Sequence, residues 1–220
     1  MKNKIITEKE AASMVKDGMT IMVGGFTFIG HPYKIAEALL ESGVKGLTLI
    51  ANDNVSPVYG TGKMVVNKQF KKIIASHIGR NPETGRQMNE GETEVVLIPQ
   101  GTLAERIRCG GAGLGGFYTP TGIGTEVEVG KEKRVINGKE YIFEEPLRAD
   151  IAILKANVAD KSGNLFIRCT AKNFNPMMAM AADLVIAQVD EIVEVGELDP
   201  ELVTISGILV DYIVGVKSNG

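Results

Sequence analysis

The sequence predicts an α/β fold: an open, mainly parallel sheet flanked by helices, with one antiparallel hairpin excursion. Three observations lead there. Short apolar runs rich in β-branched residues alternate with stretches of helical spacing, the pattern of repeated strand-helix-strand units. The segment Asp17 to Pro32, DGMTIMVGGFTFIGHP, takes a strand into paired glycines and then opens a helix at a proline. Asn137-Gly138, set between KRVI and KEYIFEE, is a two-residue hairpin signal that places an antiparallel pair outside the parallel series.

In chain order, Thr20, Ile21, Met22 and Val23 read as a buried strand. Gly24 and Gly25 remove side chains where the chain turns or lets another group approach its backbone, and Gly30 releases the chain in a new direction. Pro32 suits a first helical position. The spacing of Ile35, Ala36, Leu39 and Leu40 gives one apolar helix face that ends near Gly43. There follow the strand LTLI, a helix near Met64 to Lys68, the strands KIIAS and VVLI, and the helix LAERI. Beyond the hairpin, ADIAILKA is a further buried strand, Ser162-Gly163-Asn164 a turn into LFIRC, Pro176 the start of a helix, and DLVIAQV another buried strand. No linker composition or internal repeat interrupts the chain, so residues 1–220 are expected to form a single domain. A chain of this length buries about 70% of its unfolded surface.

Composition narrows the function classes. A net charge of −3 with mixed signs supplies no basic patch for nucleic acid, and the absence of Trp removes a stacking platform. The opening MKNKIITEKEAASMVKDG carries charges where a secretory apolar region belongs, and no apolar run approaches the roughly 18–20 residues that span a bilayer. A cytoplasmic protein without membrane partners is expected. Cys109 and Cys169 are too few for a disulfide framework and lack a metal-binding pattern, so they are expected to be small buried or half-buried thiols. His31 and His77, the only histidines, have no carboxylate or cysteine at ligand spacing, so no metal is expected; His31 can cap the helix that follows it.

Ligands of open parallel sheets bind beyond the carboxyl ends of the strands. Val23 leads into Gly24-Gly25, Ile50 into Ala51-Asn52-Asp53-Asn54, Ala75 into Ser76-His77, and Ile98 into Pro99-Gln100-Gly101-Thr102. Neighbouring strands would bring these groups to one crevice. Taken singly, Asn52 and Asp53 can make an Asx turn, and Gln100 or Thr102 can cap the LAERI helix. The loop's free N–H groups and the positive end of the following helix suit phosphate, carboxylate or a developing oxyanion. The glycine-rich stretch GGAGLGGFYTPTGIGT, residues 110–125, fits neither a Walker pattern nor a dinucleotide fingerprint and reads as a loop packed on a partner or over the site, a phosphate cradle being the other option.

Asp17, Gly18, Gly24, Gly25, Phe26, Gly30 and Pro32 occupy every fixed position of the first signature of the family I coenzyme A transferases, which this chain resembles. LTLIANDN, PQGTLAERIR, GGAGLGGFYTPTGIGT and TAKNFNP are similar, in the same order, to segments of the α subunit of acetate/acetoacetate (3-oxoacid) CoA-transferases. The resemblance implies the family's fold, coenzyme A as co-substrate with no permanently bound cofactor, and a covalent ping-pong transfer of CoA between an acyl-CoA and a free carboxylate. It implies that Asn52, Asp53 and Gln100 face the acyl group, with Gln100 an amide donor to the oxyanion. It also implies that Gly24, Gly25, Phe26, Thr27, Phe28, Ile29 and Gly30 form the CoA loop. Position 53 is Asp where members of the family can carry Asn; an ionised side chain there only accepts hydrogen bonds, so an indirect role is expected. Phe28 and Ile29 suggest a short, mostly apolar acyl group such as acetyl, butyryl or acetoacetyl.

In that family the nucleophile is a glutamate in a Glu-Asn-Gly context, and no Glu-Asn-Gly occurs here. Glu90, Glu92, Glu144 and Glu145 lie in charged stretches and are expected on solvated faces. The resemblance therefore implies a separate β subunit, in an α2β2 enzyme. Two other readings compete. A nicotinamide-dinucleotide enzyme would use the glycine turn and Asp53, although the G-x-G-x-x-G spacing is missing. A non-catalytic scaffold would only stabilise a partner.

Overall fold

The computed structural model describes residues 3–216; the first two residues of the charged opening and the last four of YIVGVKSNG lie outside them. Its elements are β1 (Ile5–Ile6), α1 (Glu8–Met14), β2 (Thr20–Val23), α2 (Tyr33–Ser42), β3 (Leu47–Ile50), α3 (Thr61–Val66), β4 (Phe70–Ala75), α4 (Pro82–Asn89) and β5 (Glu94–Leu97). They continue with α5 (Gln100–Gly111), β6 (Phe117–Thr119), β7 (Lys133–Ile136), β8 (Lys139–Glu144), β9 (Ala149–Asp160), β10 (Leu165–Phe166), α6 (Asn175–Met178), β11 (Ala182–Val193) and β12 (Tyr212–Gly215).

A nine-stranded sheet runs in the order β1-β12-β11-β9-β2-β3-β4-β5, with β10 paired antiparallel to β9. Every pair along that path is parallel. The chain winds outward from β2 in one direction to β5, then returns to lay β9, β11 and β12 on the other side. The order therefore reverses between β2 and β9, the place where open sheets leave a crevice. A separate three-stranded antiparallel sheet, β6-β8-β7, carries the expected excursion. Asn137 (φ 52°) and Gly138 (φ 77°) both take the positive φ that a type I′ turn needs.

Burial on both faces explains the near-continuous apolar strands. On one face Ile21, Val23, Leu49, Ile73 and Ile151 pack with Ala11, Ile35, Leu39 and Met64 from α1, α2 and α3. On the other, Met22, Ile50, Ile74, Ala152 and Leu154 pack with Leu103, Ile107 and Met178 from α5 and α6. Each fully buried Ile or Leu of this kind contributes about 1.5–3 kcal/mol relative to exposure. Thr7 and Glu10 form a reciprocal capping box that starts α1, and Gly43 at φ 70° ends α2 in the left-handed conformation. Among the described residues no helix is long and apolar enough to cross a membrane.

Several expectations are corrected. Pro32 is the N-cap of α2 rather than its first helical residue. The third helix is Thr61–Val66, earlier than Met64 to Lys68, because Lys68 turns to φ 54° and cannot continue a helix. Helix α4 had no sequence expectation: its buried residues, Thr84 and Gln87, are polar and leave no apolar period to read. Cys109 is buried as expected, but Cys169 is exposed. Gly110 and Gly111 belong to α5, and a Cβ would meet Leu147 O at 2.0 Å from Gly110 and the Phe143 ring at 2.2 Å from Gly116. The 110–125 stretch thus owes those glycines to packing within this chain.

Glu144 is the clearest reversal. It is 1% exposed, not solvated. Strand alternation turns it to the same side as buried Ile142, where Lys131 Nζ meets it at 2.5 Å and Arg106 at 3.6 Å. That cluster lines a cavity of about 450 Å³ between α5 and the small sheet, away from the carboxyl ends of β2 and β3. Glu90 and Glu92 are surface residues paired with Arg86, and Glu145 is exposed.

Candidate functional site

The four strand ends do converge, and hydrogen bonds join them. Asn52, 2% exposed beyond β3, donates from Nδ2 to Asp53 Oδ2 at 2.7 Å. Its Oδ1 accepts from Gln100 Nε2 at 2.6 Å and from Ser76 Oγ at 3.0 Å, so the ends of β3, β4 and β5 share one amide. Asp53 carries the connection to the end of β2: Oδ2 accepts from Thr27 N at 2.8 Å, while Oδ1 accepts from Val55 N at 2.9 Å in an Asx turn. The local role and the converging role of Asp53 hold together, and it contacts the loop as an acceptor. The expected caps at α5 are absent: its N-cap is Pro99, with no side-chain cap, and Gln100 reaches Asn52 instead. Thr102 is buried.

The segment from Gly24 to Gly30 is a tight reversal. Phe26 and Ile29 exchange backbone hydrogen bonds of 3.0 and 3.1 Å around Thr27-Phe28, with Thr27 at φ 54°. Phe26, Phe28 and Ile29 are between 45% and 49% exposed, which makes an apolar tip over the strand ends. Phe28 meets Tyr59 edge-on at 5.1 Å, and His31 and Tyr33 flank the same ring. Burial, followed by Tyr33 and Glu37, pushes the Tyr59 phenol up. Among the described residues the N–H groups of Gly25, Phe28 and Gly30 carry no hydrogen bond.

The start of α2 is not an open anion site, contrary to expectation. Gln188 of β11 puts Oε1 onto Lys34 N at 2.9 Å and Ile35 N at 3.3 Å, filling the position that an anion would take. The same occupation argues against a dinucleotide pyrophosphate. His31 does not cap this helix. It is 4% exposed and wedged between Gly25 and Gly60, where a Cβ would come within 3.1 Å of its Cα and 2.3 Å of its ring, and Nε2 contacts Thr61 Oγ1 at 3.2 Å. Burial pushes the His31 imidazole down to about 4, with Asp53 opposing. It is a neutral post beneath the loop. His77 is exposed, and residue 77 pairs with residue 53 only through backbone.

Two residues bear on the site without having been singled out from the sequence. Asn175, 0% exposed, donates from Nδ2 to Gly30 O at 3.1 Å and Ala171 O at 2.9 Å, and accepts Lys155 N at 3.0 Å on Oδ1. Asn173 donates to Ile29 O at 3.0 Å. Both lie in TAKNFNP and clamp the loop from the β9 side while Asp53 holds it from the β3 side. Two asparagines around the start of a short helix, Asn173 before it and Asn175 as its first residue, were the available signal. Gly24 is needed because Asn175 Oδ1 would lie 1.9 Å from a Cβ there.

The chain matches the family model described as Coenzyme A transferase over residues 5–215. It is 55% identical over 214 residues to the acetate CoA-transferase subunit alpha of Escherichia coli (strain K12), covering 97% of each chain. It is 50% identical over 214 residues to the acetoacetyl-CoA:acetate/butyrate CoA transferase alpha subunit of Clostridium acetobutylicum, covering 97% of this chain and 98% of that one. Among solved structures, an acyl-CoA transferase from Escherichia coli O157:H7, described as a thioester complex with CoA, superposes with a TM-score of 0.90 at 21% identity. That match covers all of this chain but 48% of the other, so this chain spans about half its length. Glutaconate coenzyme A-transferase from Acidaminococcus fermentans gives 0.85 at 21% identity, covering 97% and 75%. The two solved structures bear on fold alone.

Proposed function

Because this chain belongs to the coenzyme A transferase family, we propose that it is the α subunit of an enzyme that moves CoA between a short-chain acyl-CoA, of acetyl, butyryl or acetoacetyl type, and a free carboxylic acid. The observation that carries the reading is the hydrogen-bonded convergence of Asn52, Asp53 and Gln100, beyond the carboxyl ends of β3 and β5, on the Gly24–Gly30 loop that follows β2. The partner is a β subunit that supplies the nucleophile, in an α2β2 assembly in the cytoplasm; no Glu-Asn-Gly is present in this chain.

The chemistry is ping-pong. The partner's glutamate attacks the thioester carbonyl, the C–S bond breaks, and an acyl-glutamyl anhydride and CoA thiolate result. The thiolate then attacks the glutamyl carbonyl, releases the first acid as carboxylate and leaves CoA on the enzyme as a thioester. The incoming carboxylate attacks that thioester, and returning thiolate collects its acyl group, restoring the glutamate. Each addition places negative charge on a carbonyl oxygen. Gln100 has one amide N–H on Asn52 and a second to offer that oxygen, and the unbonded N–H groups of the Gly24–Gly30 loop suit the pantetheine amides. The apolar tip of Phe26, Phe28 and Ile29 excludes water that would hydrolyse the anhydride.

The test is co-purification with the partner and assay of a panel of short-chain acids. Gln100→Ala should lower turnover by about 10²–10³-fold in a complex that still assembles, and this chain alone should transfer no CoA. Wild-type turnover in the assembled variant would overturn the role of Gln100, and activity of the lone chain would overturn the allocation of the nucleophile.

A further inference from the structure

The orientation of the Gln100 amide is decided by a side chain it does not touch. Asp53 is met by N–H donors from Thr27, Val55 and the Asn52 amide, at 2.8, 2.9 and 2.7 Å. A carboxylate so surrounded acts as an acceptor. An amide has one donor end and one acceptor end. Once Asn52 gives Nδ2 to Asp53, its Oδ1 must face the other way, onto Ser76 Oγ and Gln100. Gln100 can then approach Asn52 at 2.6 Å with nitrogen alone, since two carbonyl oxygens at that distance repel. The charge on one residue thus fixes the polarity of a second, and the second fixes the third. The relay is shut away from competing water at its centre, with Asn52 2% and Asp53 5% exposed.

We propose that Asp53 is a positioning residue which, through Asn52, locks the nitrogen of the Gln100 side chain at the strand tips so that its second N–H is held for the substrate carbonyl oxygen. This rests on the reading of Gln100 as the oxyanion donor. It accounts for an acidic residue at a position where direct donation to substrate is ruled out by charge. An uncharged Asn at 53 would leave Asn52 free to present either end, and Gln100 would follow.

The test compares three variants of the complex with the partner subunit: Gln100→Ala, Asp53→Asn, and the charge-conserving exchange Asn52→Asp with Asp53→Asn. In the exchange, the carboxylate at 52 still accepts from Gln100 and Ser76, so the polarity of Gln100 is kept although Asp53 is gone. Asp53→Asn should lower kcat by roughly ten- to a hundred-fold, the range for a small misplacement of a reacting group, with KM for acyl-CoA changed less than about two-fold. The exchange should recover most of that loss. A role confined to holding Thr27 and Val55 is not restored by moving the carboxylate to 52. Unaltered kcat in Asp53→Asn, or a loss that the exchange does not recover, would overturn the relay. If Asp53→Asn does not assemble, the exchange alone decides: activity well above Gln100→Ala supports the relay, and activity equal to it overturns it. Normal turnover in Gln100→Ala would instead remove the oxyanion reading itself, so the two failures are told apart.

Discussion

Gly24→Ala isolates the role of Asn175. Gly24 does not take a positive φ, so alanine meets no backbone strain there, unlike at Gly25 (φ 119°) or Gly30 (φ 73°). The added Cβ would lie 1.9 Å from Asn175 Oδ1 and 2.6 Å from its Cγ, so the amide must withdraw by about 1 Å or more. It cannot do so and keep its bonds to Lys155 N, Gly30 O and Ala171 O. Overpacking costs about 1–3 kcal/mol, and a buried polar group left unpaired about 1–3 kcal/mol more. Together these come to about 2–6 kcal/mol, or about 4–24 °C in Tm for a chain of this size. The assay is thermal unfolding of Gly24→Ala, Asn175→Ala and the double variant. Asn175→Ala has already given up the same bonds and removes the obstacle, so Gly24→Ala on that background should cost less than about 1 kcal/mol. Equal cost in both backgrounds would refute the argument and assign the glycine to some other demand.

Other expected outcomes follow from the buried ionisable groups. His31 is held near pKa 4 by burial, below its ordinary value of 6.5; the unfolded chain then binds a proton that the folded chain refuses, and stability falls as pH drops below about 6.5. Between pH 6.5 and 5 the loss is about 1.5 kcal/mol, and a His31→Gln variant should show a flatter dependence of Tm on pH; parallel curves would contradict it. Glu144→Gln leaves Lys131 and Arg106 without their carboxylate. Because those two cations keep 27% and 16% exposure, the cost should sit at or below the lower end of the roughly 3–5 kcal/mol for breaking a fully buried pair. Thermal unfolding reads the cost, and limited proteolysis in the β7-β8 hairpin should rise with it; an unchanged midpoint would mean the cluster contributes nothing.

The fold was legible where side chains report their own environment. Continuous runs such as Thr20–Val23 and Leu47–Ile50 are apolar because both faces of the sheet are covered, and Gly43 and Asn137-Gly138 announce turns whose φ angles other residues resist. It was illegible where burial is polar. Helix α4 faces inward with Thr84 and Gln87, whose amide bonds Val65 O and the Thr93 hydroxyl, and no periodicity scale detects that. Glu144 was readable in principle: the two-residue period of β8 aligns it with Ile142, but the neighbouring charges of IFEEP suggested solvent.

The site divides along the same line. That the strand ends meet follows from parallel order alone, which is why Asn52, Asp53 and Gln100 could be grouped before any distance was known. What fills the spaces between them could not be read locally, because Gln188 and Asn175 arrive from sequence separations of 154 and 145 residues. A glycine and a helix start look alike whether a ligand or the protein itself takes the space. Gly24 and the first N–H groups of α2 are taken by the protein, through Asn175 and Gln188. The N–H groups of Gly25, Phe28 and Gly30 are not taken by any described residue, and the apolar tip stands over them. An N–H in such a loop is open to a ligand only where it remains unspent after the internal bonds are assigned, which leaves Gly25, Phe28 and Gly30 and excludes Gly24, whose N–H is bonded to Ile153 O.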